Sequence, residues 1–203
     1  MSPRPDVSAE RKPQILQAAL QVFLRKGFTN ARMEDIARYA EMSVGNLYRY
    51  FPGKLEIVLV LMELFLEPGV QVLNDLVSAP GTCRERLEQS ILTEIQEQDT
   101  TTLTLYNEMN HLARIEPRVR DLLASYNTRY QQSVAAIIEQ GIQRGELRPT
   151  TNPVNAAFAF EVIFDGIMQN IMLMPKTLDL PAVLCQTFDM IFDGLEITDS
   201  NLS

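Results

Sequence analysis

The chain has 203 residues, of which 46% are hydrophobic, 7% aromatic and 22% charged, and its formal net charge is −8. That length suits one or two small domains with a buried core, and the acidic balance argues against a protein that coats nucleic acid with its whole surface. Two widely separated cysteines, one histidine and nine scattered glycines exclude a disulfide framework, a two-histidine metal site and a phosphate-binding loop. No metal, cofactor or catalytic residue is therefore expected, and the chain reads as a binding protein and not as an enzyme. No apolar run reaches the roughly 18 residues of a membrane span, and Met1–Pro13 is polar, so the expectation is a cytoplasmic protein without membrane contact. The charge is uneven: residues 1–54 carry nine basic and five acidic side chains (+4), the remainder nine and twenty-one (−12). A basic head on an acidic body is the first functional clue.

Helical periodicity runs through almost the whole sequence. Ile15, Ala19, Val22 and Phe23 form the stripe of a first helix that Gly27 ends. Met33–Ala40 reads as a short second helix with Met33, Ile36, Ala37 and Ala40 buried, and Ser43 is a good N-cap for a third, Val44 to Tyr50. A further helix begins near Lys54, and Pro68-Gly69 is expected to disrupt or end it. After Pro80-Gly81, Leu87, Ile91, Leu92 and Ile95 make a stripe. Thr100–Thr102 reads as a connection before Leu105, Tyr106, Met109, Leu112 and Ala113. A long helix from about Pro117 to Arg144 follows, with Gly141 and Gly145 at its fraying end. The last two run over roughly Pro153–Leu173 and Pro181–Leu195, with Arg148–Pro153 and Met174–Leu180 as connections. No stretch alternates with period two long enough for a strand. The expected fold is all-α with about nine helices, flanked by a mobile arm, Met1–Ala9, and a mobile tail, Glu196–Ser203. His111 is expected at the surface, and Cys83 and Cys185 as space-filling side chains.

Two short helices joined by a three- or four-residue turn are the pattern of a helix-turn-helix. On the second of them Val44, Leu47 and Phe51 share one face as anchors. The other face combines Gly45, Asn46, Tyr48, Arg49 and Tyr50 and has no acid. Asparagine reads adenine bidentately, arginine reads guanine or grips phosphate, and tyrosine hydroxyls reach phosphates.

The run Gly27-Phe28, Met33 to Ala37, Ser43 to Phe51 and Lys54 resembles the DNA-binding domain of TetR-family transcriptional regulators, ungapped from Phe28 to Lys54. The resemblance implies a recognition helix over Ser43–Tyr50 whose DNA-facing positions are Ser43, Val44, Gly45, Asn46, Tyr48, Arg49 and Tyr50. It also implies that Lys54 grips phosphate. Glu41 departs from the family's usual turn glycine, and Arg32 from its usual Ser or Thr cap; Arg32 is expected to reach phosphate instead. The domains expected are a helix-turn-helix head, 1–54, and a regulatory and dimerisation body, 55–203.

In the body, Tyr106, Met109, Tyr126, Tyr130, Phe160, Phe164 and Met168 are candidates to line a ligand cavity, with Asn107, Glu108 and Glu161 at its edges. Each is also compatible with ordinary core. Phe158 and Val162, and the stripe Leu184, Phe188, Ile191 and Phe192, are candidates for a twofold interface between copies. The expectation is thus a homodimeric repressor that binds double-stranded DNA at an inverted repeat and is released by a small, largely apolar ligand. The alternatives are a ligand-independent activator or organiser, and a small-molecule binding protein whose head no longer uses DNA.

Overall fold

A computed structural model describes residues 7–96, 100–173 and 177–195. The first six residues of the expected arm, part of the expected connection after the eighth helix, and the tail Glu196–Ser203 lie outside the described residues. In chain order the helices are α1 (Val7–Asn30), α2 (Met33–Tyr39), α3 (Val44–Tyr50), α4 (Lys54–Val77), α5 (Cys83–Gln96), α6 (Thr100–Ala113), α7 (Pro117–Gln143), α8 (Pro153–Asn170), a 3-10 turn (Ile171–Leu173) and α9 (Leu180–Leu195). No strand occurs among the described residues, and the fold is all-α as expected.

Three boundaries differ from the sequence reading. Val7–Ala9 belong to α1, and Thr100–Thr102 form the first turn of α6. α4 runs straight through Pro68-Gly69. Pro68 withdraws one N–H from the helix ladder, but Leu64, Pro68 and Gly69 are all exposed, so the missing bond lies on the outer side of the helix and not in the core. Val70, Leu73 and Leu76 on the opposite side are buried and hold the helix together.

The described residues form two compact units. One runs up to Leu66 and takes in Thr104–Leu122; the other comprises Glu67–Leu103 and the chain from Leu123 onward. The expected boundary at residue 54 therefore does not mark where contacts divide, because the first half of α4, most of α6 and the start of α7 join the head.

In the first unit Ile15 and Ala19 of α1, Ile36 of α2, Leu47 of α3 and Ile57 of α4 are fully buried, which fixes α2, α3 and the start of α4 around α1. Gly27 sits at φ 70°, a conformation that breaks α1 just before Phe28, as its position in the sequence implied. Arg118 makes a bidentate pair with Glu56 at 2.5 and 3.0 Å and holds that carboxyl below the ordinary glutamate range.

The core of the second unit is built from Leu73 and Leu76 (α4), Leu87 and Ile91 (α5), Val134, Ile137 and Ile138 (α7), and an aromatic ladder from α8 and α9. Within that ladder Phe160 and Phe164 are 4.5 Å apart, Phe164 and Phe188 5.1 Å, and Phe188 and Phe192 6.3 Å. Gly141 lies inside α7 and not at a frayed end. A Cβ there would come within 2.8 Å of the Cβ of Cys83, so the glycine permits α5 and α7 to approach. α7 closes with paired bonds from the Glu146 N–H to the Gly141 carbonyl (2.9 Å) and from the Gly145 N–H to the Ile142 carbonyl (3.0 Å), with Gly145 left-handed.

Two charged side chains are buried in this unit. Arg86 is 1% exposed and makes no ion pair among the described residues. Its guanidinium instead donates to the Leu76 (3.5 Å), Val77 (3.3 Å) and Thr82 (3.3 Å) carbonyls and to Gln140 Oε1 (2.6 Å), while Nη2 makes no hydrogen bond. It thus caps the negative end of α4. Glu161 on α8 accepts a bond from Gln131 of α7, yet burial pushes its carboxyl above the ordinary glutamate value, and Asp165 one turn on adds to this. A raised acid pKa means that the folded state holds its proton longer than the unfolded chain. Glu161 therefore favours folding below the ordinary glutamate pKa and loses that contribution as pH rises through the raised value. Glu161→Gln, which keeps a partner for Gln131, is expected to raise the urea midpoint at pH 7 and to flatten its dependence on pH between 4 and 7.

Candidate nucleic-acid interface and adjoining cavity

The turn from α2 to α3 is a tight one. The Met42 N–H bonds to the Ala37 carbonyl at 2.9 Å and the Glu41 N–H to the Arg38 carbonyl at 3.3 Å, which places Glu41 at the left-handed position with φ 52°. This is the glycine-like geometry that the sequence departs from. Glu41→Gly is expected to raise stability by about 0.5–1 kcal/mol, the relief of a strained side chain less the added freedom of the unfolded chain. The urea midpoint should move up at constant slope, with Glu41→Asn between the two.

Ser43 then caps α3, its hydroxyl accepting the Asn46 N–H at 3.2 Å. Leu47 (0% exposed) and Phe51 (4%) anchor the helix, and Val44 is half-buried beside them. Ser43, Gly45, Tyr48 and Arg49 are exposed, with Asn46 and Tyr50 half-buried, so the expected reading face does point away from the core. Tyr48 is 48% exposed, a large aromatic left in water on a short helix. Arg32 occupies the cap position of α2 and is exposed, but guanidinium has no acceptor to offer the helix. The cap bond is supplied from the other side, by Asp35 accepting the Arg32 N–H at 3.3 Å. Lys26 pairs with Asp35 at 2.7 Å and, as the main cause, keeps that carboxyl below its ordinary range.

Lys54 is placed differently from the expected phosphate contact. Its ammonium donates to the carbonyls of Phe28 (2.5 Å), Ala31 (2.8 Å) and Thr29 (3.3 Å) and lies 4.3 Å from the centre of the Phe28 ring. Three acceptors take all three of its protons, so within this structure the side chain ties the α1–α2 turn to the start of α4. Burial lowers its pKa from the ordinary lysine value.

On the inner side of the same turn is a cavity of about 940 Å³ within the first unit. Its walls are Leu16, Leu20 and Phe23 of α1, Val58, Leu61 and Phe65 of α4, and Leu105 and Met109 of α6, with Phe28 and Glu108 at one end and Lys12 and Gln17 at the other. Of the seven expected pocket residues only Met109 lines it. Tyr106 lies in the same unit without lining it. Tyr126, Tyr130, Phe160, Phe164 and Met168 belong to the other unit, where Phe160 and Phe164 are 2% and 4% exposed and packed in the aromatic ladder, and Tyr130 packs against that core. Tyr126 is buried with Arg129 above its ring at 5.1 Å. Of the edge residues named, Glu108 is the one that lines the cavity, and Glu161 is internal to the second unit.

The expected interface residues divide as well. Phe158 and Val162 are 56% and 50% exposed and, with Val154 at 63%, form an outward stripe on α8. Leu184, Phe188 and Phe192 are 2%, 2% and 1% exposed in the chain's own core, with Ile191 packed against it, so they correct the reading of that stripe as an interface. The physical reason is that Phe160 and Phe164 of α8 already offer α9 an aromatic face, which Phe188 packs against. Cys185 is exposed instead of filling space, whereas Cys83 is buried and His111 is exposed as expected. No cluster of three potential metal ligands occurs among the described residues, and no described helix is long and apolar enough to cross a membrane.

An anchored, serine-capped short helix with tyrosine, arginine and asparagine turned outward defines a helix-turn-helix DNA-binding protein. Residues 15–61 match the model of the bacterial regulatory proteins of the tetR family, and residues 104–184 that of the tetracyclin repressor-like C-terminal domain. The chain is 29% identical over 166 residues to the uncharacterized HTH-type transcriptional regulator YfiR of Bacillus subtilis, covering 79% of this chain and 80% of the relative. It is 26% identical to the HTH-type transcriptional regulator LuxR of Vibrio harveyi, covering 90% and 89%. Its fold is similar to that of the transcriptional regulator FadR from Bacillus subtilis in complex with stearoyl-CoA, at TM-score 0.68 and 19% identity, covering 90% and 98%. The chain belongs to the TetR family of transcriptional regulators, and these relatives are regulators, not enzymes.

Proposed function

We propose that this protein is a cytoplasmic, homodimeric repressor that holds an inverted-repeat operator through α3 and leaves it when a small, largely apolar molecule binds. The observation that carries the reading is the outward face of α3, where Gly45, Tyr48 and Arg49 stand exposed beside Asn46 on a helix fixed by Leu47 and Phe51. The head's net +4 against −12 in the rest orients the molecule on approach to DNA. The stripe Val154, Phe158 and Val162 supports a twofold interface through α8, since large apolar side chains at i, i+4 and i+8 leave a continuous surface to cover. The cavity, together with the stearoyl-CoA held by its structural neighbour, supports the ligand.

The test is a mobility shift on DNA flanking the protein's own gene, against scrambled DNA, at two salt concentrations. Wild type is expected to form a complex with two protomers per site. Tyr48→Ala should weaken it on every sequence, whereas Asn46→Ala should cost about 1–3 kcal/mol and relax preference at one base position. Phe158→Glu should give monomers by sedimentation and abolish the two-protomer complex. Wild-type affinity in all three variants would remove the reading.

A further inference from the structure

Glu108 joins two features of the first unit. Its side chain lines the cavity, and its Oε2 accepts the N–H of Phe28 at 3.2 Å. Both carboxylate oxygens lie 3.9 Å from where a Cβ would stand on Gly27, against the residue whose left-handed backbone ends α1. Lys54 holds the carbonyl of the same Phe28 residue, so the α1–α2 turn is clamped by the ammonium on one peptide group and by Glu108 on the other. Among the described residues no cation lies within ion-pair distance of Glu108. The other charged lining residue, Lys12, is exposed at the rim, free to turn to water. The interior therefore offers one carboxylate, three phenylalanine rings (Phe23, Phe28 and Phe65) and otherwise nearly continuous aliphatic wall. A carboxylate without an ion-pair partner in an apolar, aromatic cavity is complementary to a single positive charge on an apolar body.

We infer that the cavity takes a lipophilic monocation which pairs with Glu108, draws its carboxylate from the Phe28 N–H, and so loosens the turn that positions α2 and α3. This rests on the regulatory reading only for its output at DNA; the site and the latch stand on their own. A ligand shifts the head only in so far as it prefers the unlatched turn, and competition for one carboxylate supplies that preference directly.

The test uses the full chain without DNA, with tetraphenylphosphonium as probe and tetraphenylborate as its anion of nearly the same shape. Calorimetry should give saturable binding of the cation at least about tenfold tighter than of the anion. Glu108→Gln, which retains an acceptor for Phe28, should remove most of that difference. Amide exchange at Phe28 should accelerate in wild type on addition of the cation. Equal binding of the two probes, no binding of the cation, or cation affinity unchanged in Glu108→Gln would overturn the charge recognition, and unchanged exchange at Phe28 would overturn the latch. The probe comparison on wild type is decisive even if the variant folds poorly. Added to a preformed operator complex, the cation should release DNA from wild type. Failure to find any operator would count against the regulatory reading and leave the binding and exchange results standing.

Discussion

Lys54→Met is expected to destabilise the protein by about 2–3 kcal/mol and to weaken DNA binding without changing its dependence on salt. The methionine keeps the apolar stem but gives up three bonds to the carbonyls of Phe28, Thr29 and Ala31. Hydrogen bonds from a charged donor contribute roughly 1.5–3 kcal/mol, and those carbonyls have no helical partner beyond the break at Gly27. The turn they belong to sets where α2 begins, so an untethered turn leaves α3 less well oriented, and affinity falls through geometry. A lysine that gripped phosphate would behave otherwise. Its loss would leave stability nearly unchanged and reduce the slope of log affinity against log salt by about one unit. Urea unfolding and binding at several salt concentrations on the same variant separate the two roles.

The largest loss of stability is expected at Arg86. Arg86→Ala removes the one side chain among the described residues that answers the closing carbonyls of α4, orphans Gln140, and opens a cavity in a fully buried position. The lost buried volume and the acceptors left without a donor together cost about 3–5 kcal/mol, a large share of a domain's whole margin. Arg86→Met separates the contributions, since it refills the volume and leaves the carbonyls bare. A loss of about 1–3 kcal/mol is expected for it, with Arg86→Lys milder. Chemical unfolding of the three variants orders them. A methionine variant as stable as wild type would mean that packing, not capping of α4, is what Arg86 contributes.

How far the site could be read from the chain depended on how local its causes are. Ser43, Leu47 and Phe51 lie within nine residues of one another, and their capping and periodicity act inside that span, so α3 and its outward face follow from the sequence. For Glu41 the signal was the resemblance alone, which puts a glycine at that turn position; the left-handed backbone itself is seen only in the structure. The backbone partners of Lys54 were not legible. The carbonyls that take its protons are 23 to 26 residues away and become acceptors only because α1 breaks beside them.

The cavity was missed although its signal is present. Besides the core stripe of Ile15, Ala19 and Val22, α1 carries a second one, Leu16, Leu20 and Leu24, and α4 carries Val58, Leu61, Met62 and Phe65. A helix apolar on two sides announces two neighbours, but periodicity does not say whether the second is protein or space.

By itself, then, the sequence determined the helical class, the position of nearly every helix, the helix-turn-helix and the outward face of α3, because propensity, capping and periodicity act within a few residues. Tertiary structure decided which of several equivalent apolar faces meet. It placed Leu184, Phe188 and Phe192 inward and Phe158 and Val162 outward, put Phe160 and Phe164 in core and Glu108 in a cavity, and turned Lys54 onto backbone carbonyls. The reason is that burial is non-directional: each apolar stripe gains about as much against any apolar partner, and only the simultaneous packing of all the helices selects one arrangement.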